Sequence, residues 1–167
     1  MLEPSRCRRV GSILLREDKS VATITTLYEG QRFAMVASTV DSLSLDPPSL
    51  LVCVNRTTSI FPALAARIPF CVNLLAEHHH TLAQHCAKTS GEERFAKGDW
   101  LTHVNGVPYL ADAQSNIFCK QDGHIDYGSH GIFIGRIADV VTSRNVEPLV
   151  YADGRYAKIM YLGQEHA

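Results

Sequence analysis

Short runs of β-branched and apolar residues recur along the chain, and turn-forming stretches separate them more often than helices do. β-Branched residues favour strands, whereas Gly, Asn, Asp and Pro favour turns. The pattern predicts strands over residues 21–28, 32–38, 49–54, 70–75, 113–121, 131–142 and 148–152. Strands joined mainly by turns favour an antiparallel barrel over a doubly wound parallel sheet. We therefore expect a mainly β protein.

Three short helices and two loops should interrupt these strands. The first helix is expected after Ser59, which stands where an N-cap should, with Pro62 in its first turn and Pro69 beyond its end. Apolar residues at helical spacing predict a second helix over 77–87 and a third over 91–97. The turn-rich stretches 122–130 and 143–147 should be loops.

Composition narrows the class of protein. A length of 167 residues suits one domain, spanning 1–167, and 16 basic against 17 acidic residues lack the charge excess of a nucleic-acid binder. Five scattered cysteines without a CxxC pair, Cys7 among them, indicate reduced thiols. No signal peptide and no apolar stretch of about 20 residues is apparent, so we expect a cytoplasmic protein without a membrane span.

Motif searches exclude several ways of binding a nucleotide or a metal. The chain has no GxGxxG and no Walker A sequence, so a nucleotide would need a site other than a Rossmann or P-loop turn. His78, His79 and His80, with His85 further on, could in principle bind zinc or iron. Neighbours on a helix point about 100° apart, which favours a polar helix face and predicts no metal site.

Two segments have residues suited to binding a flavin nucleotide. Residues 37–48 are small and hydroxylated before a double proline, and exposed N–H groups there could stabilise the charge that hydride transfer places on a flavin ring. A polar surface loop explains the same composition. Asn55, Arg56, Thr57, Thr58 and Ser59 could bind phosphate at the start of a helix, or could simply cap that helix.

Several sequence blocks occur in the order typical of one known family. Residues 37–59 (ASTVDSLSLDPPSLLVCVNRTTS) resemble the signature of the flavin reductase-like domain family, with its S-x-S-x-x-P-P and N-R-S/T-S elements. FCVNLL at 70–75, Arg94-Phe95 with Trp100, GSHGIFIG at 128–135 and PLVY at 148–151 with Arg155-Tyr156 resemble further blocks of the same family. Separate blocks in the right order are far more specific than any one pattern.

The resemblance implies a Greek-key split β-barrel with a few short helices. It also implies a homodimer that binds FMN or FAD near the subunit interface and reduces it with NADH or NADPH. The sequence also resembles the reductase components of two-component aromatic monooxygenases, such as the partner of 4-hydroxyphenylacetate hydroxylase, so a flavin-dependent monooxygenase is an expected partner. A flavin-binding electron carrier without turnover of free flavin is the alternative.

The family's functional positions carry over residue by residue. The flavin ring and ribityl chain would be bound by Ala37, Ser38, Thr39, Val40, Asp41 and Ser42. The phosphate would be bound by Asn55, Arg56, Thr57 and Thr58, and Lys88, Arg94 and Phe95 would flank the phosphate or the adenine. His130 is the catalytic candidate beside the nicotinamide, with a plain turn histidine as its alternative, and Tyr156 would help to close that pocket.

Two positions depart from the family pattern. Val36 stands where many members have Thr, which removes a hydroxyl near the cofactor. Ser129 replaces the usual Asp before His130, which removes a possible carboxylate neighbour of that histidine. Both departures bear on the choice of flavin and of hydride donor.

Overall fold

The computed structural model describes residues 18–162, so the expectations for Cys7 and for the N-terminal stretch lie outside the described residues. Twelve strands are found in this part of the chain. They are β1 (Lys19–Ser20), β2 (Ala22–Tyr28), β3 (Gln31–Ala37), β4 (Val40–Leu45), β5 (Pro48–Asn55), β6 (Phe70–Leu74), β7 (Trp100–Thr102), β8 (Pro108–Leu110), β9 (Ser115–Tyr127), β10 (His130–Thr142), β11 (Leu149–Ala152) and β12 (Arg155–Lys158).

The helices are few and short, as the sequence predicted. Helix α1 (Phe61–Ala65) follows β5, and helix α2 (His80–Lys88) follows β6. A 3₁₀ turn at Glu77–His79 leads into α2, and a second one at Gly91–Phe95 follows it. Among the residues described, no helix is both long and apolar enough to cross a membrane.

Seven antiparallel strands form the main sheet, in the order β3-β2-β6-β9-β10-β5-β4. Its two edge strands, β3 and β4, are consecutive in the chain and are joined only by Ser38 and Thr39. Because so short a connection reaches about 10 Å at most, the sheet has to curl so that the end of β3 lies close to the start of β4. The small-residue segment identified from the sequence lies at this junction.

The inner face of the curled sheet forms the main hydrophobic core. β5 was expected to be buried on both faces, because residues 49–54 are a continuous apolar run, but its burial alternates: Leu50, Val52 and Val54 are buried, and Leu51 and Cys53 are partly exposed. The three buried residues pack with Phe70 and Phe133 from β6 and β10, and α1 covers one end through Leu64. Burial of this apolar surface is the main force that holds the curl together.

A smaller sheet, in the order β1-β11-β12, lies beside α2 and the end of β3. Val21 links the two sheets, because its N–H donates to Leu149 O and its carbonyl accepts from Leu75 N–H, both at 2.9 Å. Tyr151 and Tyr156 pack against the cluster formed by this sheet and α2. This second layer brings the C-terminal strands next to the edge of the main sheet.

A buried amide network joins the small strand β8 to the main sheet. Asn73 Nδ2 donates to Thr23 O at 2.9 Å and to Thr25 Oγ1 at 3.0 Å. Its Oδ1 accepts from Leu110 N–H and from Asn116 Nδ2, both at 2.9 Å. Asn73 is completely buried, so every one of these bonds is shielded from water.

Three sequence-based expectations for secondary structure were wrong. Ser59 does not cap the first helix, whose N-cap is Ile60, without a side-chain cap bond. Residues 122–127 are not a loop, because β9 continues through them and pairs with β10, so that only Gly128 and Ser129 form the turn. The polar segment after residue 37 contains strand β4 rather than a continuous loop.

Candidate nucleotide-binding site

The predicted flavin segment runs along one edge of the main sheet. Ala37 ends β3 and is buried, whereas Asp41 and Ser42 lie exposed on β4. Val40 pairs with Val52, and Thr39 O accepts a hydrogen bond of 3.2 Å from Cys53 N–H. Because β4 is an edge strand, alternate backbone groups on its outer side face away from β5 and are positioned to bind a ligand.

The predicted phosphate segment is a compact turn at the end of β5. Asn55 Oδ1 accepts from Thr57 N–H at 3.0 Å and from Thr57 Oγ1 at 2.9 Å, and Thr58 Oγ1 donates to Asn55 O at 2.7 Å. Such an Asx turn explains why Asn precedes two threonines here. The Arg56 guanidinium is half exposed and lies 3.9 Å from Asp126 Oδ2.

Two N–H groups at the start of helix α1 already have hydrogen-bond partners, and phosphate binding by this segment stays a prediction. Helix α1 is only five residues long, and the N–H groups of Thr58 and Phe61 already donate to Asn55 O and Thr58 O, both at 3.1 Å. They are therefore not available to a phosphate. The Arg56 guanidinium is the group of this segment that could bind one, since the hydroxyls of Thr57 and Thr58 already donate to Asn55.

The structure brings His130 next to this turn. His130 pairs with Asn55 across β10 and β5, and Arg56 N–H donates to Ser129 O at 2.9 Å. Ser129 Oγ lies 2.8 Å from His130 Nδ1, so a hydroxyl is the hydrogen-bond partner of this ring nitrogen. Since Nδ1 has this partner, the exposed Nε2 is the atom that can interact with a ligand.

A second group of predicted residues lines two joined cavities beside α2. We call the first, about 230 Å³ in volume, the inner slot; Val21, Val36, Ser38, Ala87, Tyr151 and Tyr156 line it. The second, of about 530 Å³, is the Lys88 cavity; Lys88, Arg155 and His80 line it, and it shares Ala87 and both tyrosines with the inner slot. A lining of aliphatic side chains and two tyrosines suits a flat ring.

Tyr156 stands between the two cavities with its phenol protonated. Burial raises the pKa of Tyr156, and the neighbouring Tyr151 and Cys86 raise it further. The rings of Tyr151 and Tyr156 meet edge to face, with centroids 5.3 Å apart. Tyr156 Oη is therefore a neutral hydrogen-bond donor at neutral pH.

Arg94 and Phe95 have structural contacts. Arg94 donates from Nε to Thr89 O at 2.9 Å and from Nη1 to Ala34 O, which fastens the turn after α2 to β3. Phe95 is 7% exposed and packs on Trp100 and beneath the Arg32 guanidinium. Their predicted place beside a ligand stays a prediction. The structure shows that both residues also stabilise the turn that follows α2.

The histidine cluster differs from the polar helix face that was predicted. His79 is buried, and the 3₁₀ turn directs two consecutive histidines at one carboxylate: His78 Nε2 lies 3.3 Å from Asp112 Oδ2 and His79 Nε2 3.1 Å from Oδ1. The contact of His79 lacks the alignment of a regular hydrogen bond. The argument that neighbouring histidines diverge fails because it assumed α-helical geometry.

These three residues are spaced closely enough to bind a metal ion, but the hydrogen bonding of His79 opposes it. His79 Nδ1 accepts from Ala76 N–H at 3.1 Å, so the proton of the neutral ring is on Nε2. Nε2 would have to lose that proton to become a ligand. Burial lowers the pKa of His79, which keeps the ring neutral, although Asp112 opposes this shift.

Sequence reasoning missed several residues of the site. Tyr151 belongs to the PLVY block, yet it was given no role, and it lines both cavities. Val21 and Ala87 also line the inner slot. They are far apart in the sequence, so their place in the site could be recognised only from the folded structure. Arg155 was named in the sequence analysis only as the neighbour of Tyr156, and it lines the Lys88 cavity. Its positive charge next to a predicted site residue could have marked it as a candidate ligand-binding residue.

The fold is mainly β, and the Asn55 turn and the two cavities form a candidate nucleotide site in a chain without a Rossmann motif. Residues 15–160 match the family described as the flavin reductase like domain. The chain is 37% identical over 140 residues to the reductase component of an FADH(2)-dependent resorcinol hydroxylase from Rhizobium sp., covering 82% of this chain and 78% of the relative. It is 39% identical over 138 residues to an FMN reductase (NADH), RutF 1, from Methylorubrum extorquens, covering 82% and 69%.

A solved structure gives the same result. Nitrilotriacetate monooxygenase component B from Mycobacterium thermoresistibile superposes with a TM-score of 0.89 at 26% identity, covering 99% of this chain and 93% of that one. The chain belongs to the flavin reductase like domain family. The family predicted from the sequence blocks, and with it an oxidoreductase, is confirmed.

Proposed function

We propose that this protein transfers a hydride from NADH or NADPH to FMN or FAD and supplies the reduced flavin to a separate monooxygenase. The observation that carries the proposal is the inner slot beside Ser38, next to a small-residue sheet edge that continues to Asn55 and His130. The relatives support it, since one is named as an NADH-dependent FMN reductase and another as the reductase component of a hydroxylase.

The residues present fit a flavin in three ways. The inner slot has an aliphatic and aromatic lining, the outer side of β4 offers backbone N–H groups, and Arg56 and Lys88 offer cations for a phosphate. A bound flavin would supply the hydride acceptor and a nicotinamide nucleotide the hydride donor. The protein contributes binding and orientation, which is what a direct transfer between stacked rings requires.

In this proposal His130 orients the nicotinamide rather than transferring a proton. Its Nε2 is exposed beside the Asn55 turn, and its Nδ1 is occupied by Ser129 Oγ. Tyr156 keeps its proton and can donate a hydrogen bond into either cavity. No residue needs to act as a general acid for the hydride step itself.

We also propose that the protein is a homodimer, and that the outer face of strands β9, β10 and β5 is the contact between its subunits. Ile125 on this face is 60% exposed, and it pairs with the half-buried Ile132, which in turn pairs with Cys53. A second copy is the occupant we favour because the apolar face adjoins His130, so that two copies would enclose the site from both sides.

Three further features belong to the same proposal. The two-residue link between the edge strands β3 and β4 supports a Greek-key split barrel, and residues 1–167 would form one flavin-binding domain. The free thiols of Cys53, Cys71, Cys86 and Cys119 support a reducing, cytoplasmic location. Burial raises the pKa of Cys86 to about 11 and that of Cys119 to about 12, so both stay protonated.

Oxidation of NADH and of NADPH, followed with FMN, with FAD and without added flavin, tests the proposal. The protein's own bound flavin is quantified first. Turnover that depends on added flavin would support a reductase and show which nucleotides it prefers. Retained flavin without turnover would support an electron carrier instead, and absence of both flavin binding and turnover would refute the proposed function.

A further inference from the structure

The guanidinium that the proposed function assigns to a flavin phosphate already has a carboxylate beside it. Arg56 Nη2 lies 3.9 Å from Asp126 Oδ2, and His124 Nε2 lies 3.9 Å from the other oxygen, Oδ1, of the same carboxylate. Arg56 N–H donates to Ser129 O at 2.9 Å, which fixes the backbone of Arg56 against the turn between β9 and β10. The carboxylate of Asp126 and a bound phosphate would therefore compete for one guanidinium.

The fold directs this ion pair to the inner face of the main sheet. His124 pairs with Phe133 and stacks on its ring, and Phe133 is fully buried in the main core. Asp126 is two residues further along β9, so its side chain lies on the same face as that of His124. Asp126 pairs with Gly131 on β10, and because Gly131 has no side chain, Asp126 and Arg56 have room to meet across that strand.

The other candidate groups at this end of the sheet lie on its opposite face. His130 directly precedes Gly131 and pairs with Asn55, so the side chains of His130 and Asn55 lie on the outer face. Asp126 thus draws the Arg56 guanidinium away from the face on which His130 Nε2 is exposed. A phosphate on that face gains the full charge of Arg56 only when the guanidinium leaves Asp126.

The ion pair is weak enough to be exchanged for a phosphate. The side chains of Arg56 and Asp126 are 52% and 45% exposed, and an exposed pair of this kind changes an equilibrium by about fivefold at most. A contact between arginine and phosphate is frequently bidentate and stronger. We therefore expect the carboxylate to lower the affinity for a phosphate without preventing its binding.

We propose that Asp126 is a positioning residue that acts through Arg56 and weakens the binding of the flavin phosphate, so that the flavin exchanges as a diffusible substrate. This inference rests on the proposed function, because it assumes that Arg56 binds that phosphate. A reductase that supplies reduced flavin to a separate monooxygenase has to release the flavin in every turnover. Differences in affinity between related complexes are mostly differences in the rate of release, so a weaker phosphate contact favours this exchange.

The test compares flavins with and without a phosphate. Dissociation constants of FMN, FAD and riboflavin are measured by flavin fluorescence, and the value for riboflavin is divided by that for the tighter-binding of FMN and FAD. The variants are Asp126→Asn, Arg56→Gln and the two combined. Asp122→Asn is the matched control, because Asp122 lies about 13 Å away along β9 and forms a similar ion pair with Arg136. That pair is 4.0 Å long, with side-chain exposures of 47% and 50%.

Opposite effects of the two single variants are expected. Asp126→Asn should raise the ratio of dissociation constants by up to about fivefold, because the phosphate-bearing flavin binds more tightly and riboflavin binds as before. The same variant should release that flavin more slowly in stopped-flow experiments. Arg56→Gln should lower the ratio, and in the combined variant Asp126→Asn should no longer raise it, since no guanidinium remains to be freed. Asp122→Asn should leave the ratio unchanged.

An unchanged or lower ratio in Asp126→Asn, with flavin still bound and reduced, would overturn this inference alone. An equal rise in Asp122→Asn would also overturn it, because the effect would then be one of surface charge in general. A rise that persists without Arg56 would show that the carboxylate repels the phosphate directly, and would refute the role of Arg56 in the proposal. Failure of the unmodified protein to bind any flavin would overturn the proposed function, and this inference with it.

Discussion

Gly135 on β10 is the glycine whose replacement by alanine tests the packing of the main core most directly. A Cβ at this position would lie 2.6 Å from Cζ of Phe70 and 3.0 Å from Cβ of Cys119. Both neighbours are 1% exposed, so neither side chain can turn toward solvent. Gly123 on the paired strand β9 provides a control, because nothing lies within 4 Å of a Cβ built there.

The expected cost follows from this difference. Apolar carbons prefer a separation of about 3.5 to 4.0 Å, so the Phe70 ring would have to move by about 1 Å within a packed core. Extra methyl groups in such places cost about 1–3 kcal/mol. Replacing glycine also restricts the unfolded chain, which stabilises by about 0.4–1 kcal/mol. That second effect is common to both variants and cancels in their difference.

Thermal unfolding of Gly135→Ala and Gly123→Ala, side by side with the unmodified protein, measures the cost. A difference of about 2 kcal/mol corresponds to a melting temperature about 4–8 °C lower for Gly135→Ala in a chain of this size. Gly123→Ala should melt at or slightly above the temperature of the unmodified protein. Melting temperatures of the two variants within about 1 °C of each other would refute the packing described for β10, β9 and β6.

Three other predictions concern His130, the His79–Asp112 contact and Asn73. His130→Ala should raise the KM for NADH or NADPH more than it weakens flavin binding, and equal loss of both affinities would contradict an orienting role. Burial lowers the pKa of His79 in the folded protein from its ordinary value of 6.5. Just below pH 6.5 the unfolded chain therefore binds a proton at this residue that the folded chain does not, and the free energy of unfolding should fall as the pH drops through about 6.5. His79→Asn should flatten that dependence in chemical denaturation between about pH 5 and 7, and an unchanged slope would show that other groups cause it. Asn73→Ala should lower the free energy of unfolding by about 3 kcal/mol or more, because it leaves several buried partners without a hydrogen bond, and a loss below about 1 kcal/mol would mean that water replaces the amide.

Much of the strand pattern could be predicted from local sequence. Residues 49–54 and 70–75 are continuous apolar runs, and both became central strands of the main sheet. The hairpin of β2 and β3 was recognisable because β-branched residues flank a short turn at Glu29 and Gly30, both at positive φ. In these places the residues' own preferences agree with their tertiary contacts.

The sequence-based predictions of secondary structure failed where tertiary contacts, rather than local preferences, determine the conformation. Residues 122–127 have turn-forming composition, yet they are strand because His124 stacks on Phe133 and Ile125 pairs with Ile132. The polar residues of β4 read as a loop because an exposed edge strand needs few apolar residues. The spacing of apolar residues predicts a strand only where one face of that strand is buried. It does not predict a strand that is stabilised mainly by backbone hydrogen bonds.

The sequence predicted which residues belong to the candidate site but not how they are arranged in space, because that arrangement depends on the curl of the main sheet. Ser38 lies at the junction of β3 and β4, and His130 lies at the end of the longest hairpin. Tyr156 lies on a separate sheet, which backbone hydrogen bonds around Val21 and Leu149 and the core beneath α2 hold in place. The sequence blocks identify each of these residues separately. Which of these residues line the same cavity depends on packing among elements that are distant in the sequence. The structure also shows that Arg94 donates hydrogen bonds to two main-chain carbonyls, so its motif alone does not assign it to a ligand.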